Sequence, residues 1–566
     1  SLCMNVVQYH ITTTYRDLVS MTGNGEISTM LGYEFSFSSD TGKTILGNKA
    51  TITASDKQAT NGLLHVIDNV IPRFTRFIGD MLERNTDTYS IFSEAFKRTG
   101  LCDSVLTFMK RGDKADGTFT FTQLPRENYS SSLSAETTCK VGFTVFAEPD
   151  AVMKANNINS FEDLVKFANE QYGNAADWYD YLSENGITVS TGDDYTNRYN
   201  ALNMFVAYHI LNASMSVNQL VYEKGSNAYW NYAPDADPYD YYETLLPHTL
   251  MKIWEPVKDG NGKNLYINRY RMNNTLTDEL ASQGSEAMHD LVEPGVMVLR
   301  TGSLLAYNGY VHPINKMLVY NRIVPKGVLN ERIRVNCTSL FPELINNRQR
   351  YWATGDGNIP SAYDGSRAGI PSKYFDNMVL YDDYFCLAYC VHGAWRCFQS
   401  DQVQFWGRFD MAFKLPSVPS GIYEIRVVYA PMSYGGFMQY YIGTSPSVTS
   451  MQAIGLPFDA SVQVTDPRVG LTDATQEDDM GIGSDIAMHN RGYMRGPYSY
   501  CGHAESTGWT TTNNGRFEYG ASMTVRYVLG RIELKQGEEN WLRIKTLNPD
   551  NPLLPVGLDF VELCPT

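Results

Sequence analysis

The sequence lacks the features that mark several large classes of protein. No apolar run in its 566 residues approaches the ~20 residues that a transmembrane helix needs. Basic residues are in deficit, with 46 Lys and Arg against 62 Asp and Glu, and they form no basic stripe. Duplex binding depends on clustered Lys and Arg that neutralise phosphates, so the net charge of −16 excludes nucleic acid as an expected partner.

Cysteine pairs and catalytic motifs are missing as well. The nine Cys are an odd number, and the spacing of Cys386, Cys390 and Cys397 matches neither C-x2-C zinc pairs nor a redox C-x-x-C. We therefore predict free buried thiols or one local disulfide there, with no metal and no cofactor. The sequence contains no G-x-S-x-G elbow, no H-E-x-x-H pair and no Gly-rich phosphate loop. A non-enzymatic function is predicted.

What the sequence does contain is an eleven-residue signature that occurs twice. It reads NGLLHVIDNVI at 61–71 and NGYVHPINKML at 308–318, with VVQYHI at 6–11 upstream of the first copy and FVAYHI at 205–210 upstream of the second. Such repetition indicates one module used twice. The Tyr-His to Asn-Gly distance is 52 residues in the first copy and 100 in the second, so the second module holds an insertion of about 48 residues.

A further element precedes the Tyr-His pair of the second module only. It is FTVFAEPDAVM at 143–153. The first module has only eight residues ahead of Tyr9, so we expect its equivalent to lie upstream of Ser1. No targeting segment is visible in the sequence.

Hydrophobic periodicity separates β-rich from helical stretches. Residues 1–74 are predicted to be a β-rich module that ends in the Asn-Gly turn and a buried strand. A helical bridge at 75–90 leads to the second module at 91–325. Within that module Ser160 and Asp163 predict a helix N-cap with a capping box.

The remaining chain divides into three parts. The insertion near 222–290 is rich in Tyr, Asp and Pro and is predicted to be a surface excursion. Residues 326–400 form a connector whose ends the pattern does not define. Residues 401–566 alternate short strands with Gly, Pro and Asn turns, which is typical of a β-sandwich.

The two repeated modules resemble fasciclin-like (FAS1) domains. The hallmarks of that family are an early F-T-V-F-A-P-T-D segment, a central Tyr-His and a late N-G-x-x-H-x-I-D. This sequence departs from the family at Glu148, where Pro is usual, and then keeps Pro149 and Asp150. In the second late motif Asn315 replaces the customary Asp, and Pro313 is unusual.

The C-terminal stretch WLRIKTLNPDNPLLPVGLDFVELCP resembles the last two strands of galactose-binding-like jelly rolls. The two resemblances together imply α+β fasciclin-like modules followed by an all-β jelly-roll sandwich. Proteins of this arrangement resemble surface lipoproteins of Bacteroidota that accompany SusC/SusD-like nutrient importers. The resemblance implies an outer-membrane location, a lipid anchor upstream of the visible chain, and an importer or another surface lipoprotein as partner.

Two sets of motif residues are candidates for function. Family members use the motif of Tyr9-His10 and Tyr208-His209 in cell-surface adhesion, although the apolar neighbours of these residues also suit a protein core. His65 and His312 lie on alternating apolar strands, each with one polar neighbour in the late motif. A neutral imidazole with one hydrogen bond fixes a turn without performing chemistry, so we predict a structural role for both.

Carbohydrate recognition is the activity predicted for the sandwich. Sugar rings pack on aromatic side chains, and their hydroxyls bond to Asn, Asp and Arg. Loops in which aromatic residues neighbour Gly supply such groups. The acidic segment 472–485 suits Ca²⁺ in composition but lacks EF-hand order, so a solvated loop is predicted. The candidate ligand-binding residues are Tyr434, Arg491, Tyr493, Arg495, Tyr498, Trp509, Asn513 and Asn514.

The predicted function is non-enzymatic binding at the cell surface. The chain would bind a glycan or a partner protein as an accessory of an outer-membrane uptake complex. Two alternatives stay open. One is cell adhesion through the fasciclin-like modules, and the other is a glycoside hydrolase in the sandwich, since a suitably spaced pair of carboxylates suffices for that reaction.

Overall fold

The structure is a computed structural model that describes several ranges of the chain. None of the helices in these ranges has the length and apolar character that a membrane crossing requires. The residues described are 2–12, 14–30, 34–40, 42–47, 49–71, 76–110, 112, 114–115, 119, 134–135, 139–221, 239–255, 264–271, 292–293, 295–347, 367–369, 373–382, 385–391, 401–429, 436–462, 466–471, 482–495, 525–548 and 556–566.

The first module is one helix followed by a five-stranded antiparallel meander. Its strands pair in chain order. The turn between the last two is Thr60-Asn61, one residue earlier than the predicted Asn-Gly turn, because Gly62 already pairs with Ala59. A small core of its own lies on one side of the sheet, with Tyr9, Phe35 and Ile71 among its buried members. The elements are α1 (Leu2–Tyr9), β1 (Gly23–Ser28), β2 (Glu34–Asp40), β3 (Lys43–Leu46), β4 (Ala50–Ala59) and β5 (Gly62–Ile67).

The second module begins with helices that pack around a mixed sheet. The predicted N-cap at Ser160 is confirmed, because its Oγ accepts the N–H of Asp163 at 3.2 Å. The carboxylate of Asp163 accepts the N–H of Asn159 at 3.0 Å, one residue earlier than in a standard capping box. The helices are α2 (Ile78–Glu83), α3 (Thr86–Arg98), α4 (Leu101–Ser104), α5 (Asp150–Ala155), α6 (Phe161–Tyr172), α7 (Asp180–Glu184) and α8 (Ala201–Tyr208).

Two four-stranded sheets complete the second module, in the orders β10-β9-β18-β17 and β11-β12-β13-β16. β9 and β18 run parallel. The strands up to this point are β6 (Met109–Lys110), β7 (Ser134–Ala135), β8 (Cys139–Lys140), β9 (Phe143–Ala147), β10 (Ile210–Leu211), β11 (Tyr239–Glu243), β12 (Leu250–Trp254), β13 (Leu265–Ile267), β14 (Tyr270–Arg271), β15 (Val292–Glu293), β16 (Val296–Val298), β17 (Leu304–Ala306) and β18 (Gly309–Pro313).

Residues 333–566, here called the C-terminal β-region, supply most of three five-stranded sheets and a few short helices. The helices are α9 (Cys337–Leu340), α10 (Pro342–Asn346) and α11 (Ile482–His489). The strands are β19 (Ile333–Asn336), β20 (Arg367–Gly369), β21 (Met378–Leu380), β22 (Phe385–Val391), β23 (Asp401–Gly407), β24 (Asp410–Lys414), β25 (Gly421–Tyr429), β26 (Phe437–Gly443), β27 (Gln452–Asp459), β28 (Tyr493–Arg495), β29 (Val525–Leu534), β30 (Trp541–Thr546), β31 (Val556–Leu558) and β32 (Phe560–Pro565).

The three sheets draw on the predicted connector as well as on the residues beyond it. Their orders are β19-β32-β25-β29-β28, β21-β24-β30-β26-β27 and β31-β23-β22-β20-β7. β19, β20, β21 and β22 all come from residues 326–400, so each sheet contains at least one strand from that range. The many strands predicted for 401–566 are present, while the jelly-roll arrangement stays a prediction.

The second module and the C-terminal β-region share one hydrophobic core, which runs from Ile78 to Leu563. Gln536 ties the two together through polar contacts. Its Nε2 donates to the carbonyl of His248 at 2.8 Å and to the hydroxyl of Tyr320 at 3.1 Å, while its Oε1 accepts the N–H of Tyr181 at 3.2 Å. This close apposition creates a cleft between the two parts.

Candidate functional site

Each Tyr-His pair ends a helix. α1 ends at Tyr9 and α8 at Tyr208, and the histidine that follows folds back on the last turn. Nδ1 lies 2.8 Å from the carbonyl oxygen four residues earlier in the case of His10, and 2.7 Å in the case of His209. A carbonyl oxygen only accepts hydrogen bonds, so Nδ1 carries the proton in both rings. The Nε2 atom of each ring is left for a different partner.

The partners of the two Nε2 atoms distinguish the modules. In the first module the N–H of Ile71 donates directly to Nε2 of His10 at 3.0 Å. Leu318 holds the same position of the repeat in the second module, and its N–H donates to Oε1 of Glu148 at 2.9 Å. That oxygen also lies 2.9 Å from Nε2 of His209. Glu148 is therefore inserted between the histidine and the backbone N–H.

This arrangement explains the departure of the sequence at Glu148. The side chains of Glu148 and His209 are both fully buried. Because Nδ1 of His209 already donates to a carbonyl, the pair holds a single proton between Nε2 and Oε1. Tyr9, Tyr208 and His209 are buried too, so these three side chains offer no surface for direct adhesion. The prediction of a core segment is confirmed for 205–210, where every residue is buried, but is wrong for 6–11, where Val6, Val7 and Ile11 are exposed.

The late motif closes both modules with the same pair of hydrogen bonds. The N–H of Asp68 donates to the carbonyl of Thr51 at 3.1 Å, and the N–H of Thr51 donates to Oδ1 of Asp68 at 2.7 Å. Asn315 and Met297 make the same reciprocal pair at 3.1 and 2.8 Å. An amide oxygen accepts a backbone N–H as a carboxylate oxygen does. The change from Asp to Asn therefore keeps the closure intact.

The two motif histidines bond to backbone carbonyls, which agrees with the structural role predicted for both. Nε2 of His65 lies 2.7 Å from the carbonyl oxygen of Arg16, and Nε2 of His312 lies 2.8 Å from that of Met215. Nδ1 of His312 is also 2.8 Å from the hydroxyl of Ser303. Burial lowers the pKa of His312 to about 4, so its ring is neutral near pH 7. The acid and the amide of the late motif bond to neighbouring strands.

The predicted sugar-binding residues lie only partly within the described structure. The guanidinium of Arg491 is exposed and donates to a carbonyl four residues earlier, at the end of α11. Tyr493 is half-buried, and its ring centroid lies 5.3 Å from that of Tyr527. Arg495 pairs with Val525 at the end of β28. Outside the described residues lie Tyr434, Tyr498, Trp509, Asn513, Asn514 and the stretch 472–481 of the acidic segment.

The predicted cysteine cluster also lies mostly outside the described structure. Cys386 and Cys390 belong to strand β22, of which only the backbone is described, and Cys397 falls outside. Elsewhere Cys139, Cys337 and Cys564 are buried. Among the residues that the structure describes, no three His, Cys, Asp or Glu side chains gather as a metal ion requires.

A polar cleft lies between the second module and the C-terminal β-region, and no motif in the sequence predicts it. It encloses about 140 Å³. Asn212 and Asp376 are exposed to solvent and mark its mouth. Its other lining residues are Leu211, Ala213, Tyr242 and Glu243 from the second module, and Ser339, Pro342, Glu343, Ile345, Asn377 and Lys414 from the C-terminal β-region.

Glu343 is the most unusual group in this cleft. It lies in α10 and is 7% exposed. Its Oε1 accepts the N–H of Asp376 at 2.8 Å, whereas its Oε2 is buried and has no hydrogen-bond partner among the described residues. Burial raises the pKa of Glu343 to about 7. An unsatisfied buried oxygen costs about 1–3 kcal/mol.

The rest of the cleft wall carries charges of both signs. Glu243 ends β11, and its Oε1 accepts the N–H of Ser417 at 3.4 Å. Burial raises the pKa of Glu243, and the positive charge of Lys414 opposes that rise. Lys414 itself ends β24. Carboxyl groups and an ammonium group therefore face one small volume.

Comparison with known proteins bears on the first module. The Fasciclin domain family model matches residues 1–72. These residues are a fasciclin (FAS1) domain. A FAS1 domain pair from the insect cell adhesion molecule fasciclin I is 13% identical, covers 56% of this chain and 79% of its own, and has a TM-score of 0.23. No curated protein matches the chain.

Proposed function

We propose that this chain is a non-enzymatic cell-surface binding protein that holds one sugar residue of a glycan in the cleft between the second module and the C-terminal β-region. The observation that carries the proposal is that Glu343, whose buried Oε2 has no hydrogen-bond partner among the described residues, is one of the residues that line that cleft. A native protein rarely leaves such an atom unsatisfied. A ligand hydroxyl would complete its hydrogen bonding.

The charges in the cleft favour a neutral, hydroxylated ligand. A hydroxyl both donates and accepts hydrogen bonds, so it suits the carboxyl of Glu343 and the ammonium of Lys414 alike. An anionic ligand would face the carboxyl groups of Glu243 and Glu343. A cationic ligand would face Lys414. Neutral sugars avoid both repulsions.

The size of the cleft favours a single ring. A volume of about 140 Å³ holds roughly ten water-sized spheres. This suits one sugar ring, with about a dozen non-hydrogen atoms, rather than the larger ligands for which pockets of about 300–1,000 Å³ are usual. A longer glycan would enter by its end, past Asn212 and Asp376, with its remaining units in solvent.

Calorimetric titration with defined sugars tests this proposal. We expect glucose, galactose or N-acetylglucosamine to bind, and glucuronate and glucosamine to bind at least about tenfold more weakly, which corresponds to about 1.4 kcal/mol. Glu343→Gln and Lys414→Met should each weaken the neutral sugar by a similar factor. Glu533→Gln, which changes an exposed acid on β29, serves as the matched control.

Three results would overturn the proposal. One is that no neutral sugar binds at millimolar concentration. Another is that neither cleft variant changes the affinity. The third is the release of reducing ends from a polysaccharide, lost in Glu343→Gln, which would favour the hydrolase alternative over simple binding.

Adhesion is the second candidate function, and the fasciclin domain match at residues 1–72 favours it. Proteins with this domain include the insect cell adhesion molecule fasciclin I. If the protein functions in adhesion, the first module would contact a partner protein while the cleft binds the sugar. Attachment to an outer membrane beside an importer stays part of the proposal, and co-purification of the lipid-anchored protein with an importer would test it.

A further inference from the structure

One buried carboxylate is surrounded by four arginines on a sheet of the C-terminal β-region. Glu562 in β32 has a side chain that is 0% exposed. Its carboxylate oxygens lie 2.6 Å from Arg334, 3.0 Å from Arg526, 3.5 Å from Arg426 and 3.7 Å from Arg332. Four positive charges therefore face one negative charge, and the guanidinium groups repel one another at these distances. A further anion beside the cluster would relieve that repulsion.

The four arginines differ in their access to solvent and to other acids. Arg426 also pairs with Glu424, at 2.7 Å. Arg334 and Arg526 are buried. Arg332, which directly precedes β19, makes the longest of the four contacts, and its side chain is 44% exposed. The corner of the cluster at Arg332 is therefore the part that an anion in solution can reach.

Tyr239, the first residue of β11, stands at this corner and reports on its electrostatics. Its hydroxyl oxygen accepts a hydrogen bond from Nη2 of Arg332 at 3.5 Å. Lys252, which pairs with Glu331, places Nζ 5.0 Å from the centroid of the Tyr239 ring. Burial would raise the pKa of Tyr239, but the charges of Arg334 and Arg332 outweigh burial and hold the pKa below its usual value. The surroundings thus favour negative charge at the hydroxyl.

We infer that Arg332, Arg334 and Tyr239 form a binding site for a phosphate group carried by a larger molecule. Arg332 and the hydroxyl of Tyr239 would contact the phosphate, and Arg334 would add charge from the buried side. Guanidinium groups bind phosphate oxygens through paired, charge-assisted hydrogen bonds. A phosphate monoester carries nearly two negative charges and three acceptor oxygens, so it suits this excess of positive charge better than a carboxylate does. None of the three residues lines the sugar cleft, so the inference is independent of the proposed function.

Calorimetric titration of the whole chain with inorganic phosphate tests the inference. The titration is run at about pH 7.5, where phosphate is mostly a dianion, and chloride keeps the ionic strength constant. We expect saturable binding at one site. Arg332→Gln should weaken it at least about tenfold, and Tyr239→Phe about fivefold. Arg531→Gln is the matched control, because Arg531 is a 62% exposed arginine that pairs with Glu424 on the same sheet, and it should bind phosphate as the unmodified chain does.

Tyr239→Phe removes only a hydroxyl, so it provides a second test if Arg332→Gln disturbs the fold. The melting temperature of each variant without phosphate shows whether it does. The inference fails if phosphate shows no saturable binding, or if both Arg332→Gln and Tyr239→Phe keep the full affinity. It also fails if Arg531→Gln loses as much affinity as Arg332→Gln, since the attraction would then be a general property of exposed arginines.

Discussion

Nε2 of His209 lies 2.9 Å from Oε1 of Glu148, and neither side chain reaches solvent. The first module joins the same two parts of its fold without an acid, through a direct bond from Ile71 to His10. Glu148 is therefore an added link in the second module. The contribution of Glu148 to the free energy of unfolding can be measured, because substitutions of exposed acids serve as controls.

Replacing Glu148 should be strongly destabilising. Glu148→Ala leaves the N–H of Leu318 and Nε2 of His209 buried without their partner, and breaking such a buried pair costs about 3–5 kcal/mol. Glu148→Gln keeps an acceptor oxygen and should lose less. Urea unfolding measures both. Glu170→Ala, an exposed acid on α6, should change the free energy of unfolding by less than about 0.5 kcal/mol. Equal losses for Glu148→Ala and this control would contradict the assigned link.

The closure by Asn315 should tolerate a carboxylate but not an apolar side chain. Asn315→Asp keeps an oxygen for the N–H of Met297, so we expect little change in stability near pH 7. Asn315→Ala loses that bond, at a cost of about 1 kcal/mol. Thermal unfolding compares the two variants. If Asn315→Asp were the more damaging of the pair, the equivalence with Asp68 would be wrong.

His312 should make stability depend on pH. Its folded pKa of about 4 lies below the unfolded value of about 6.5, so its contribution is complete above pH 6.5 and is lost as the pH falls through about 4. The shift corresponds to about 3 kcal/mol. Unfolding free energies measured between pH 7 and pH 4 should show this decline. His312→Gln, whose side chain does not titrate, should reduce the dependence of the unfolding free energy on pH between pH 7 and pH 4, even if it lowers stability overall.

Replacing Glu562 with a neutral residue should lower the free energy of unfolding more than replacing most other acids. Burial alone would raise its pKa, but Arg334 and Arg526 lie against the carboxylate and hold the pKa well below its usual range. Its stabilising effect is therefore complete above about pH 4.5 and declines only in stronger acid. Glu562→Gln leaves buried guanidinium groups without their counter-charge, and we expect a loss of about 3–5 kcal/mol. Glu533→Gln on the same region is the control, and denaturant unfolding is the measurement.

The sequence predicts local features well. The repeated signature indicates two modules, and the same hydrogen bonds close both. Ser160 predicts a helix start because an N-cap depends on residues three apart. The strands of the C-terminal β-region follow from alternating apolar residues.

Contacts between residues that are distant in the chain could not be predicted from such local patterns. Glu148 is 61 residues from His209, and no local pattern links them. Glu243 and Lys414 line the same cleft only because the second module and the C-terminal β-region pack together. The sequence contains one weak signal for this site. Glu343 is the only charged residue in the apolar run LFPELI, and burying an acid there costs free energy unless a hydrogen-bond partner or a functional role compensates.

The two cores described above give the parts of this chain different degrees of independence. The fasciclin domain at residues 1–72 has a hydrophobic core of its own. The second module shares one hydrophobic core with the C-terminal β-region. A substitution that disturbs the core of the front part should therefore leave the larger core intact. A cut between the other two would expose their common apolar interior to water.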